Sequence, residues 1–188
     1  MPVLIRRCSF SVSMWLAVTL VGPMCATVFA QAPAADAQEP SKLAPTDRAF
    51  ARAAADDAQA EVAIAALAQQ TTSSDIVRTF AEDMQRVYLE MADELREIGN
   101  RKHQALPNVV SADDQVTLDE LSHLKGTEFD RAFAENIIAA HRDAIAAFQL
   151  YASSGADPEL RGFADRRLPK LRRLLAAAED VRKSGNSE

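Results

Sequence analysis

From Thr46 onward, apolar residues recur at spacings of three and four, the period of helices that each bury one face. The strongest run lies between Gly126 and Tyr151, where Phe129, Phe133, Ile137, Ala144, Phe148 and Tyr151 share one stripe and His141 falls in its middle. Three further long segments offer facing stripes. One runs from Thr46, a good N-cap, to about Gln70 and carries Phe50, Ala54, Asp57, Glu61, Ile64 and Ala68, with Leu67 alongside. The next is capped by Ser73 or Ser74 and turns Val77, Phe80, Met84, Val87, Tyr88, Met91, Leu95 and Ile98 inward before Gly99-Asn100 stops it. The last opens at Asp157-Pro158-Glu159 and buries Leu160, Phe163, Leu171, Leu174, Ala178 and Val181. Pro169 falls inside it, which predicts a kink or restart near Leu168 because proline cannot donate to the helix ladder.

Between the second and third long helices, the stretch from Arg101 to Ser111 contains Pro107 and is expected to cross from one end of the bundle toward the next helix. Ser111-Ala112-Asp113-Asp114 resembles a capping box and opens a short helix through Val116, Leu118, Leu121 and Leu124, ending near Gly126. The expected fold is therefore all-α: a four-helix bundle over residues 46–183, with one short extra helix, coiled-coil-like packing and a kinked last helix. Composition agrees, since the apolar residues are largely alanine and only 6 glycines occur.

The first 30 residues read as a secretory signal peptide. Arg6 and Arg7 precede the apolar run Met14 to Val21, Gly22-Pro23 breaks it, and Val28-Phe29-Ala30 suits cleavage before Gln31. The alternative is an uncleaved anchor, because Phe10 to Ala30 is nearly long enough to span a bilayer. Residues 31–45, rich in Ala, Pro, Gln and Asp without periodicity, read as a disordered leader. Both cysteines, Cys8 and Cys25, lie within the signal, so the exported chain would fold without disulfides. The whole chain has 21 basic and 27 acidic residues. Loss of Arg6 and Arg7 leaves the mature chain more acidic still, which repels nucleic acid and anionic lipid.

The chemistry-bearing candidates are few. Asp57 and Glu61, at i and i+4, interrupt the stripe of the first helix; Tyr88 and His141 lie on the stripes of two others. Glu61 is expected to pair with His141 or accept from the Tyr88 hydroxyl, and Asp57 to reach Arg167, since a lone buried charge is costly. His141 reads more readily as a hydrogen-bonded core histidine than as a ligand. Arg166, Arg167, Lys170, Arg172 and Arg173 read as a solvated face opposite acidic helices, and Met84 and Met91 as ordinary core. There is no phosphate-binding glycine loop, nucleophile elbow or fixed-period repeat.

The runs Glu61-Val-Ala-Ile-Ala-Ala-Leu-Ala, Phe80-Ala-Glu-Asp-Met, Gly126-Thr-Glu-Phe-Asp, Ile138-Ala-Ala-His141 and Phe163-Ala-Asp-Arg-Arg-Leu-Pro169 resemble a bacterial family, domain of unknown function 4142. The resemblance spans roughly Asp47 to Val181. It implies an exported ferritin-like helical bundle with no established reaction, whose members typically face three histidines and a first-helix glutamate inward. Glu61 and His141 match that pattern. Tyr88 and Leu174 stand where the other two histidines are expected, and His103 and His123 lack partners at ligand spacing. A metal needs three or four protein ligands, so none is expected here; Glu61, His141 and Asp57 would be the ligands if one bound. Instead Glu61, Tyr88 and His141 are expected to converge as a hydrogen-bonded remnant of such a site.

These readings predict an exported, periplasmic bundle without catalytic activity. It would act by binding a protein or small-molecule partner, or as an envelope-stress component, with no cofactor and no stable membrane insertion after cleavage. The alternative is a divalent-metal-binding or oxidative-protection protein.

Overall fold

A computed structural model describes residues 43–185. The expected signal peptide and nearly all of the leader lie outside the described residues. The described residues form five helices: α1 (Pro45–Thr71), α2 (Asp75–Arg101), α3 (Ala112–Ser122), α4 (Gly126–Ser154) and α5 (Pro158–Gly185). α1 packs most extensively on α2 and α4 on α5; α2 meets α5 and α1 meets α4, which closes a ring of four long helices. The rows of apolar residues meet at its centre, where Met84, Tyr88, Met91, Leu95, Phe129, Phe133, Ile137, Leu160, Phe163, Leu171 and Leu174 are fully buried. α1 contributes mainly small side chains, Ala51, Ala54, Ala55, Ala58, Ala65 and Ala68, and small contact residues permit close helix approach.

Hydrogen bonds fix the direction of each helix. Tyr151 near the end of α4 donates to Asp47 at the start of α1, at 2.6 Å, and Thr72 after α1 donates to Asp130 near the start of α4, also at 2.6 Å. α1 and α4 are therefore antiparallel. Arg101 at the end of α2 reaches Glu159 at the start of α5, and Arg173 late in α5 reaches Asp83 early in α2. It follows that α2 and α4 run in the same direction on opposite corners of the ring. The chain must then return along the length of the bundle between them, as bundles with one long crossover do. α3 lies in this return and packs against both α1 and α4.

The helix ends show where local signals hold and where packing overrides them. Ser74 accepts from the Val77 amide, and Ser111 accepts from the Asp114 amide, as expected of N-caps. Thr46 is not a cap. α1 starts two residues earlier than that cap would set it, with Ala44 at the N-cap and Pro45 at the first helical position, where its fixed φ suits the helix and no amide is wasted. Leu43, placed in the leader by composition, is buried in the core.

Gly99-Asn100 does not stop α2. The helix runs to Arg101, and His103 takes the left-handed turn at φ 55°. The Gln104 amide bonds to the Gly99 carbonyl and the His103 amide to that of Asn100, a Schellman ending. Gly99 is needed for space, because a Cβ there would lie 2.7 Å from the Gln104 carbonyl oxygen.

Two inward assignments shift: Val116 is exposed on α3, and Ile145 rather than Ala144 is fully packed on α4. Pro169 produces no restart, for α5 is one helix through it. Pro169 and Asp165, whose carbonyl loses its intrahelical partner, both lie on the exposed face, where water can satisfy that oxygen.

Candidate functional site

The middle of the bundle holds the expected polar residues. Tyr88 and His141 come from opposite corners, α2 and α4, and are both fully buried. Their rings stand edge to face, with centroids 5.6 Å apart, and the Tyr88 hydroxyl lies 3.3 Å from Nε2 of His141. The other ring nitrogen, Nδ1, lies 3.0 Å from the carbonyl oxygen of Ile137 one turn back. A carbonyl only accepts, so Nδ1 carries the proton and Nε2 accepts from the tyrosine. Burial pushes the His141 pKa down to about 4, against the opposing pull of the Ile137 carbonyl, and the ring is neutral at neutral pH.

Asp57 and Glu61 reach this region from successive turns of α1. Glu61 is buried and Asp57 half-buried, yet Oδ2 of Asp57 and Oε2 of Glu61 are both sealed from solvent without a hydrogen-bond partner. An ionised carboxylate in such surroundings is strongly disfavoured, and like charges disfavour it further. Burial, then the Asp114 carboxylate of α3, pushes Asp57 up to about 7. Burial, then Asp57, then Asp114, holds Glu61 well above the usual carboxylate range. Burial chiefly, with Asp57 and Glu61 behind it, also raises Tyr88. The two acids thus share one electrostatic environment with Tyr88.

Three expectations are corrected by these contacts. Glu61 pairs with neither His141 nor Tyr88, because the Nδ1 proton goes to Ile137 and the tyrosine proton to Nε2, which spends both donors. Asp57 does not meet Arg167. That guanidinium turns to the α2–α5 seam, where it bonds Glu94 and the Glu90 carbonyl and lies 5.6 Å from the Phe163 ring centre. Arg167 is accordingly buried rather than part of a solvated face, whereas its neighbours Arg166, Lys170 and Arg173 do form surface pairs with Glu94, Glu90 and Asp83. Asp130, another carboxylate near the start of α4, is engaged by Thr72.

Asp114 is the site residue that pattern alone missed. In the sequence it reads as the partner of the Ser111 cap, and Ser111 does donate to it at 2.6 Å. Only the packing of α3 on α1 brings its charge to Asp57 and Glu61.

The residues do not fit the metal centre that the fold resemblance implies. Both nitrogens of His141 are committed, and among the described residues no three His, Cys, Asp or Glu side chains gather in a way that could hold an ion. Two surface depressions lie at the end of the bundle where α4 begins, lined by Thr127, Arg131 and Gly185 among others; the buried polar residues line neither.

An all-helical bundle with a buried polar centre is the class that these observations define. Within it, the chain belongs to the family described as domain of unknown function (DUF4142), whose model matches residues 32–181. It is also similar to the crystal structure of a DUF305 fragment from Deinococcus radiodurans, with a TM-score of 0.68 and 19% identity over 76% of this chain and 98% of that one. At that identity the likeness shows a shared helical fold. No curated protein matches the chain. Among the described residues, no helix is long and apolar enough to cross a membrane.

Proposed function

We propose that this protein is an exported, non-catalytic helical bundle of the periplasm that acts by binding a protein or small-molecule partner, as an envelope-stress component would. The observation that carries this reading is the state of His141. Its lone pair and its proton are both spent inside the core, and burial keeps the ring neutral, so it offers no base to a substrate. Asp57 and Glu61 have no nucleophile or imidazole hydrogen-bonded to them that would turn them into a catalytic pair.

The test has two arms. Mass spectrometry of the exported protein is expected to show a chain beginning at Gln31; full-length chain recovered in the membrane would replace this reading with an anchored one. Metal analysis of protein purified without a histidine tag is expected to find only traces. Iron, zinc or manganese near one per chain, together with a metal-dependent rise in melting temperature lost in Glu61→Gln, would establish the metal-binding alternative instead.

A further inference from the structure

The seam between α1 and α4 is covered by the short helix of the crossover. α3 has 11 residues, too few to be stable alone, and buries only Leu121 fully; Leu118, and Leu124 just past its end, are half-buried against the core. Directly relevant to its hold is the polarity beneath it. α3 packs on α1, the helix that carries Asp57 and Glu61, each with a sealed, unpartnered carboxyl oxygen, and the negative charge of Asp114 on α3 bears on both. We propose that α3 is a pH-sensitive strap on the α1–α4 seam, closed while the Asp57–Glu61 pair keeps its protons and released as the pair ionises beside Asp114.

The groups around the pair supply little positive charge. On α1 itself, burial raises the pKa of Asp56, the Arg52 cation opposes that rise, and Asp114 adds to it. From α2 comes Tyr88, whose burial and acidic neighbours keep its hydroxyl protonated. From α4 comes His141, neutral and turned to Tyr88. From α5, Arg167 is held by Glu94 and supplies no positive charge to Asp57. Nothing buried compensates the new charge. The cheapest response is to admit water at the seam, and the element with the least buried surface to lose is α3.

The measurement is hydrogen exchange of the α3 amides in the full chain, corrected for the intrinsic pH dependence of exchange and compared with α5. Between about pH 5 and about pH 8, wild-type α3 should lose protection by about tenfold for each pKa unit that opening relieves, while α5 holds. The double variant Asp57→Asn, Glu61→Gln should keep α3 protected at the higher pH. Asp114→Asn, which preserves an acceptor for Ser111 and leaves the buried acids in place, should retain part of that protection and serves as the second variant if the double one does not fold. Wild-type protection that is unchanged with pH, loss spread equally over α5, or undiminished loss in both variants would each overturn the strap.

Discussion

At the scale of single residues, the Tyr88–His141 pair and the acid pair beside it make opposite demands. The first is satisfied, and truncating one partner orphans the other. His141→Leu should therefore cost about 1–3 kcal/mol, because the Tyr88 hydroxyl is left buried without an acceptor. Adding Tyr88→Phe should recover part of that loss, so the double-mutant cycle in urea denaturation is expected to be non-additive; additive losses would count against the hydrogen bond. The acid pair gives stability its pH dependence. Asp57 ionises near the ordinary carboxyl value of 3.8 when unfolded and burial pushes it up to about 7 when folded, so between these values the folded state binds more protons. Its contribution is fully present below the lower value and is lost as pH rises to the upper one. Glu61 acts in the same sense. His141 acts oppositely, since burial pushes its pKa down to about 4 from the ordinary imidazole value of 6.5, and it removes stability as pH falls through that window. Toward pH 7 the acids alone remain, and melting temperature should fall there; Asp57→Asn should flatten that fall.

At the scale of elements, two helices carry residues that their local geometry does not favour. His103 holds φ 55° at the exposed end of α2, where glycine would rest without strain. His103→Gly is expected to stabilise the protein by about 1 kcal/mol, read as a shift in denaturation midpoint. Gly99→Ala, four positions before His103 in the same ending, should do the reverse, since its Cβ would meet the Gln104 carbonyl. Pro169 is the second case. It sits on the exposed face of a continuous helix, so Pro169→Ala restores an amide to the ladder without crowding the core. A gain of up to about 3 kcal/mol is expected, and an unchanged midpoint would mean that the bundle depends on the helix shape proline imposes.

For the whole molecule, the decisive feature is the joining of two helical hairpins, α1–α2 and α4–α5, by a crossover that runs the length of the bundle. Clasps tie the hairpins at both ends. Asp47 accepts from the Tyr151 hydroxyl and from the Ala156 amide at one end, and Thr72 donates to Asp130 at the other. Tyr151→Phe leaves the ring stacked on Phe50 but removes a buried hydrogen bond. It should cost about 1 kcal/mol and raise hydrogen exchange in the first turn of α1 more than elsewhere. A uniform rise across the bundle would mean that the clasp is part of the global fold rather than a local closure.

Period and two of the helix caps were legible in the chain because they act over a turn or two: the inward stripes of Phe129, Phe133 and Ile137, the caps at Ser74 and Ser111, and the inward placing of Tyr88, Glu61 and His141 all follow from local spacing, whereas packing overrode the breakers at Gly99-Asn100 and Pro169. Partner choice was not legible, because it depends on which donors remain after the nearest groups have taken theirs. Glu61 lost its expected partners to Ile137 and to the His141–Tyr88 bond, and Arg167 lost Asp57 to Glu94. Asp114 read as a cap residue, and its second role exists only because the crossover lays α3 beside α1. The sequence by itself determined the helices and which faces they bury, since side-chain periodicity is a property of the chain. Which buried polar groups meet, and which are left to hold a proton instead of a partner, was decided by the order and direction in which those helices pack.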